Sequence, residues 1–316
     1  MSRATRRPLG RTGFEVFPLN LGGNPFGWTA DPDATFAVLD AYREAGGNFI
    51  DTADVYNKWV TGHVGGESER LIGEWLASRR CRDEFIVATK VGMGGPDLGG
   101  KGLSPDQVMR GCEASLKRLG IERIDLYYAH EDDPVTPLAD TMRAFDALVR
   151  EGKVRAIGGS NYTAARLQEA LDVSARDGFA SYGVFQTRYN LVLRRDYEGA
   201  LADVCTAHHL GVCTFPALAS GFLTGKYRTD EKATGARAGG AQRYLDDPGA
   251  VALLAQVKAV AKKHGATPAQ VAIAWQLHQP IVTTPIASAT SAAQVQELVG
   301  AIDLALDHED LKQLGA

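Results

Sequence analysis

Residues 46–56, Gly46-Gly47-Asn48-Phe49-Ile50-Asp51-Thr52-Ala53-Asp54-Val55-Tyr56, run a short apolar strand out of a glycine turn into a polar loop carrying Asp51 and Tyr56. Phe85-Ile86-Val87-Ala88-Thr89-Lys90 ends a second apolar strand on a lysine, and Asp125-Leu126-Tyr127-Tyr128-Ala129-His130 ends a third on a histidine. Successive strands that each deliver a titratable group at the C-terminal end are how a parallel barrel assembles a site.

Outward from these three, short apolar strands alternate with amphipathic stretches. Strands are expected at 19–22, 48–51, 85–90, 124–129, 154–159, 184–187, 212–215 and 281–285. Helices are expected near 32–45, 66–79, 104–119, 137–151, 163–177, 196–208, 249–278 (split at Thr267-Pro268) and 291–300. Ser104, Thr163 and Ser291 fit N-caps, and Gly120 and Gly152 fit helix ends. Eight strands, each followed by a helix, predict an α/β fold, a (β/α)8 TIM barrel, with residues 1–316 as one domain. Residues 6–18, with Gly10 and Gly13 as turn signals, are expected to form a hairpin across the barrel bottom. Three connections exceed the usual length and are functional suspects: 57–65, 92–102 and 218–248.

The four titratable residues make chemical sense as a unit. A tyrosine hydroxyl, with a pKa of about 10, is a poor acid at neutral pH. A neighbouring ammonium lowers that value, and a carboxylate holds the ammonium in place. Tyr56 is then the general acid, Lys90 its tuner, Asp51 the lysine's partner and His130 the group that orients a carbonyl oxygen. Such acid–base groups contribute about 10²–10⁴-fold in rate. They supply no reductant, so a cofactor is implied.

Composition narrows the class. Hydrophobic residues make up 45% of the 316, ample for a large core, and the net charge of −4 argues against nucleic acid as a partner. Arg3, Arg6 and Arg7 form a short basic start with no apolar segment after it, read as a solvated terminus rather than a targeting signal. No apolar run reaches the length of a membrane span. The expected location is the cytoplasm. Cys81, Cys112, Cys205 and Cys213 show no disulfide framework. Cys205-x-x-His208-His209-x-x-x-Cys213 has metal-like spacing, but a helix and the strand after it do not converge four side chains on one ion, so no metal is expected.

The chain resembles the aldo-keto reductases over nearly its whole length. The segments that carry the resemblance are the 47–56 stretch followed by Gly66-Glu67-Ser68-Glu69, then Gly152-Lys153-Val154-Arg155-Ala156-Ile157-Gly158-Gly159-Ser160-Asn161-Tyr162. Gln186-x-x-Tyr189-Asn190 and Gly221-Phe222-Leu223-Thr224-Gly225-Lys226-Tyr227 complete it, in the family's order. The resemblance implies a nicotinamide across the barrel top, with hydride passing to an aldehyde or ketone. Ser160, Asn161 and Gln186 would bond its carboxamide, and Phe215 stands where the family stacks an aromatic on the ring. Leu218, Ser220, Gly221, Leu223 and Lys226 would wrap the pyrophosphate.

The resemblance also marks departures. In Thr284-Pro285-Ile286-Ala287-Ser288-Ala289-Thr290 the family has glycine where Ser288 stands and arginine or lysine where Thr290 stands, and its Glu-Asn pair appears as Glu297-Leu298. A guanidinium grips a phosphate bidentately, and threonine cannot. Ser288, Thr290 and Gln294 keep only neutral hydrogen bonds for the 2′-phosphate region. NADP(H) is the first expectation, with NAD(H) the alternative. After His130 comes Glu131-Asp132-Asp133-Pro134, read as a solvated loop; its alternative is an acidic rim that repels anionic substrates. Trp28 and Trp59 are expected to line an apolar substrate pocket. The expected partner is a small carbonyl substrate. A second class of function is a nicotinamide-loaded regulatory subunit with slow turnover, like the channel β subunits of the family. The enzyme reading is preferred because no extra N-terminal segment is seen.

Overall fold

The computed structural model describes residues 5–96, 98–228 and 231–315; Arg3 lies outside them. The strands are β1 (Arg7–Pro8), β2 (Glu15–Val16), β3 (Asn20–Gly22), β4 (Phe49–Asp51), β5 (Ile86–Val91), β6 (Ile124–Ala129), β7 (Val154–Ser160), β8 (Val184–Arg188), β9 (Gly211–Phe215) and β10 (Thr284–Ala287). Among the described residues β3 to β10 pair in parallel in chain order, and β10 closes on β3 to complete the barrel. Parallel strands buried on both faces read as continuous apolar runs, which is why 49–50, 86–88 and 124–129 were legible.

Alternate residues divide two cores. Phe49, Ile86, Ala88, Leu126, Tyr128, Val184, Cys213 and Ile286 fill the barrel interior. Ile50, Val87, Tyr127, Ile157, Phe185 and Val212 face the helices. The β1–β2 hairpin adds Leu9, Phe14 and Val16 to the inner core. It closes the N-terminal end: a Cβ on Gly10, at φ +55°, would lie 2.5 Å from Gly183 O and clash with Gly211 N.

Ser104, Thr163 and Ser291 accept from the amides of Gln107, Arg166 and Gln294 as N-caps, and Gly120 ends its helix in the left-handed region. The long helical stretch is split as expected, into Pro248–His264 and Pro268–Leu277.

Four expectations need correction. The last strand starts at Thr284, not 281. The carbonyls of Val282 and Thr283 are taken by the Arg7 guanidinium and that of Ile281 by the Tyr197 hydroxyl, so the segment is tied to side chains before it joins the ladder. Arg7, which also caps Leu277 O, is therefore half-buried and not a solvated terminus. The sixth helix is only Ala200–Ala207, because Gly199 at φ +97° breaks the chain direction before it. The 218–248 connection carries a 3-10 turn, Ala219–Thr224, and a helix, Ala238–Leu245.

Candidate active site

On six of the eight inward-facing columns the residue beyond the last core side chain lies at the C-terminal rim. Phe49 is followed two residues on by Asp51, Ala88 by Lys90, Tyr128 by His130, Val184 by Gln186, Cys213 by Phe215 and Ile286 by Ser288. The two-residue strand period thus brings side chains distant in sequence to one rim.

Lys90 lies at the centre, fully buried. Its Nζ donates to Asp51 Oδ2 at 2.6 Å, to Thr52 O at 2.8 Å and to Tyr56 Oη at 2.9 Å. Tyr56 Oη lies 3.3 Å from Asp51 Oδ2. The His130 ring stands edge-on to the Tyr56 ring at 6.1 Å between centroids, and its Nδ1 is buried without a partner. All four predicted catalytic residues are brought together.

The electrostatics depart from the sequence expectation at Tyr56. Lys90 does favour the phenolate, but burial acts more strongly and Asp51 opposes ionisation, so the phenol is pushed up to about 12 rather than down. At neutral pH Tyr56 therefore keeps its proton. Burial works against the Lys90 ammonium, yet Asp51 and Tyr56 together raise its pKa. Burial, and then Lys90 and Lys101, drive His130 well below the usual imidazole value, so it is neutral at pH 7.

Above this group opens a cavity of about 940 Å³. Asp51, Tyr56, His130, Asn161, Gln186, Phe215, Leu218, Ser220, Gly221, Lys226, Ser288, Thr290 and Gln294 line it. Others in the predicted set do not. Ser160 is fully buried and takes a hydrogen bond from Asn161 Nδ2, which also donates to His130 O at 2.9 Å. Leu223 is turned into the core, and its amide is bonded to Leu218 O, as is that of Gly221. Trp28 and Trp59 stand beside the cavity in an edge-on aromatic row with Tyr56, and Trp59 is half exposed.

The acidic rim is not one. Glu131 pairs with Lys101 at 3.0 Å, Asp132 takes a bidentate grip from Arg166, and Asp133 accepts from the amides of Leu103, Val135 and Thr136. Local cations and backbone donors cancel the charge that the one-dimensional pattern suggested. The metal-like spacing likewise dissolves. Cys213 is inside the barrel, Cys205 is buried beneath its helix, and His208 is bonded to Gln168.

Sequence reasoning missed two residues. Arg237 reaches into the cavity from the 218–248 segment, donates to Asn24 Oδ1 at 2.7 Å and lies 5.5 Å over the Trp28 ring. Its only signal was its place as one of several cations in a long connection. Asp54, two residues before Tyr56, is buried with both carboxyl oxygens unpartnered. Desolvation first, then Glu69, raise it to about 7. A raised carboxyl favours the folded state at low pH and loses that advantage as pH climbs from the unfolded value of about 3.9 towards 7. Asp54→Asn should therefore raise stability at pH 8 by up to about 4 kcal/mol and change it little at pH 4, as read by urea denaturation. Equal effects at both pH values would refute the buried, proton-bearing state.

The family profile described as Aldo/keto reductase family matches residues 18–316. The chain belongs to the aldo/keto reductase family. A probable voltage-gated potassium channel subunit beta of Arabidopsis thaliana is 33% identical over 303 residues, covering 94% of this chain and 90% of the relative. The uncharacterized oxidoreductase YrpG of Bacillus subtilis is 33% identical over 314 residues, covering 97% and 93%. Aldo-keto reductase str7 of Strobilurus tenacellus is 34% identical over 291 residues, covering 90% and 81%. This aldo/keto reductase is an NAD(P)H oxidoreductase of the class that reduces small carbonyl compounds. Among the described residues no helix is long and apolar enough to cross a membrane.

Proposed function

We propose that this aldo/keto reductase converts an aldehyde or ketone to the alcohol, with Tyr56 as general acid, Lys90 and Asp51 as the pair that tunes it, and His130 orienting the carbonyl oxygen. The observation that carries the reading is the Lys90 ammonium, fully buried and bonded at once to Asp51 and to the Tyr56 hydroxyl at the cavity floor. Lys90 donates into a lone pair of Tyr56 Oη, and the phenol's own proton is given to Asp51 Oδ2 across 3.3 Å, a long contact that it exchanges for an oxygen arriving from the cavity. As charge develops on that oxygen the proton moves to it, and the adjacent ammonium stabilises the phenolate left behind. A neutral His130 donates an N–H to the same oxygen without competing as an acid.

The cavity's donor set fits a nicotinamide dinucleotide, which when bound supplies the hydride. Asn161 and Gln186 offer amide groups to the carboxamide, Phe215 an aromatic face, and Ser220, Gly221 and Lys226 a polar, cationic stretch for the pyrophosphate. Arg237 adds a second cation on the same wall. Leu223 is left to packing, and Ser160 acts by fixing Asn161. The far end holds Thr290, whose N–H and hydroxyl are both bonded to Gln294 Oε1. We take NADP(H) as the cofactor with NAD(H) as the alternative. Thr290→Arg is expected to tighten NADPH by about tenfold over NADH, the return on one charge-assisted contact. An unchanged ratio of dissociation constants would place the 2′-phosphate elsewhere. Trp28 and Trp59 favour an aromatic or apolar carbonyl. Four unpaired cysteines suit the reducing cytoplasm.

The likeness to relatives named as potassium channel β subunits supports a second reading, a nicotinamide-binding regulatory protein with slow turnover. A fluorescence titration with both nicotinamides, followed by turnover on a panel of aromatic aldehydes, separates the two. Rapid consumption supports the reductase. Tight binding with negligible turnover refutes it in favour of the regulator.

A further inference from the structure

Gln186 makes a contact that holding a carboxamide does not require. Its Nε2 donates to Asp51 Oδ1 at 2.7 Å, while Lys90 holds the other oxygen, Oδ2, at 2.6 Å. Asp51 is 1% and Gln186 3% exposed, so water does not replace either bond. Beneath them the Tyr128 hydroxyl lies beside the Gln186 side chain and donates to Cys213 Sγ at 3.6 Å. Tyr128 is fully buried, and its ring fits because position 158 is glycine: a Cβ there would lie 2.6 Å from the ring. Tyr128 and Cys213 are absent from the cavity wall, so neither touches a ligand there.

We propose that Gln186 is a positioning residue for Asp51, backed from below by Tyr128, and that this buried column keeps the carboxylate on Lys90. The proposal rests on the reading of Tyr56 as the acid. An Asp51 carboxylate bonded on both oxygens cannot rotate. Remove the amide and Oδ1 becomes a buried, unpaired acceptor, free to turn with its charge towards the phenol 3.3 Å from Oδ2. Tyr56 is faced by Lys90 from β5, Asp51 from β4, His130 from β6 and Arg237 from the segment after β9. Of these only Asp51 depends on Gln186. More negative charge at the phenol makes it harder to ionise, so the column acts on Tyr56 acidity rather than on ligand affinity.

The test uses the full chain carrying Tyr128→Phe or Gln186→Met. Nicotinamide affinity is measured by fluorescence, and kcat for alcohol oxidation is followed with pH at saturating cofactor. Oxidation needs the Tyr56 phenolate, so its rate rises with pH. Tyr128→Phe is expected to leave affinity within about twofold and to displace the pH profile upward by about one unit, a tenfold loss at any pH below the midpoint. Gln186→Met should displace it further and also weaken the nicotinamide. A change in affinity or melting temperature with the profile in place would mean that Gln186 serves only the ligand or the fold, and would overturn the proposal. Should Tyr128→Phe not fold, the profile of Gln186→Met decides alone. Wild-type protein that binds a nicotinamide but turns over neither alcohol nor aldehyde overturns the functional reading itself, an outcome recognisable before any variant is made.

Discussion

Tyr56→Phe is expected to lower carbonyl reduction by about 10²–10⁴-fold, the contribution of a positioned proton donor, while nicotinamide affinity stays within about twofold. The ring remains in place, because its neighbours hold it by shape. Trp59 packs edge-on at 6.2 Å and Lys90 Nζ sits 4.7 Å from the ring centroid. Only the hydroxyl goes, and Lys90 keeps Asp51 and Thr52 O as acceptors. The loss should therefore appear in kcat rather than in KM or in melting temperature. Single-turnover reduction with a fluorescence-monitored nicotinamide measures both at once. Near-normal turnover by this variant would remove Tyr56 from the chemistry and leave water or His130 as the donor.

Lys90→Met is expected to cost both fold and function. It leaves the buried Asp51 carboxyl without its cation, with Gln186 and the Tyr56 hydroxyl as its remaining donors. Breaking a buried pair in this way costs about 3–5 kcal/mol. The pH dependence carries a sign. Because Asp51 and Tyr56 raise the Lys90 pKa over the opposing effect of burial, the pair's contribution is fully present below the unfolded value of about 10.4 and is lost as pH rises through the folded one. Tyr56, raised to about 12, acts in the same direction. The stability gap between wild type and variant should thus be flat from neutrality to about pH 10 and shrink above it. Adding Asp51→Leu to Lys90→Met should recover much of the lost stability, since an apolar pair can replace a buried ion pair, while activity stays absent. Recovery of activity with stability would mean that the pair serves only the fold.

The fold was legible because parallel strands sheathed by helices must be apolar on both faces. Runs such as 86–88 and 124–129 therefore stand out between amphipathic stretches. The candidate site was legible for a related reason. A strand that ends an apolar run on Asp51, Lys90 or His130 has placed a charged or polar side chain where the barrel opens. What failed were inferences that needed a neighbour from another part of the chain. The acidic rim, offered only as the alternative to a solvated loop for Glu131 and Asp132, lost its ground once Lys101 and Arg166 were found against them. Arg7 read as solvated until the carbonyls of Leu277, Val282 and Thr283 closed around it. Leu223 sat in a stretch that resembled a phosphate wrap, yet the 3-10 turn directs it inward.

By itself the amino-acid order determined the eightfold alternation, the hairpin at one end and the identity of the groups at the other. These follow from local periodicity and from side-chain type, both properties of short stretches. Only the tertiary structure decided how acidic Tyr56 is, which oxygen of Asp51 faces Lys90, that Asp54 is stranded without a partner and that Arg237 enters the cavity. Each of those depends on exclusion of water and on distances across the barrel, where a desolvated charge responds to every neighbour and a linear sequence names none of them.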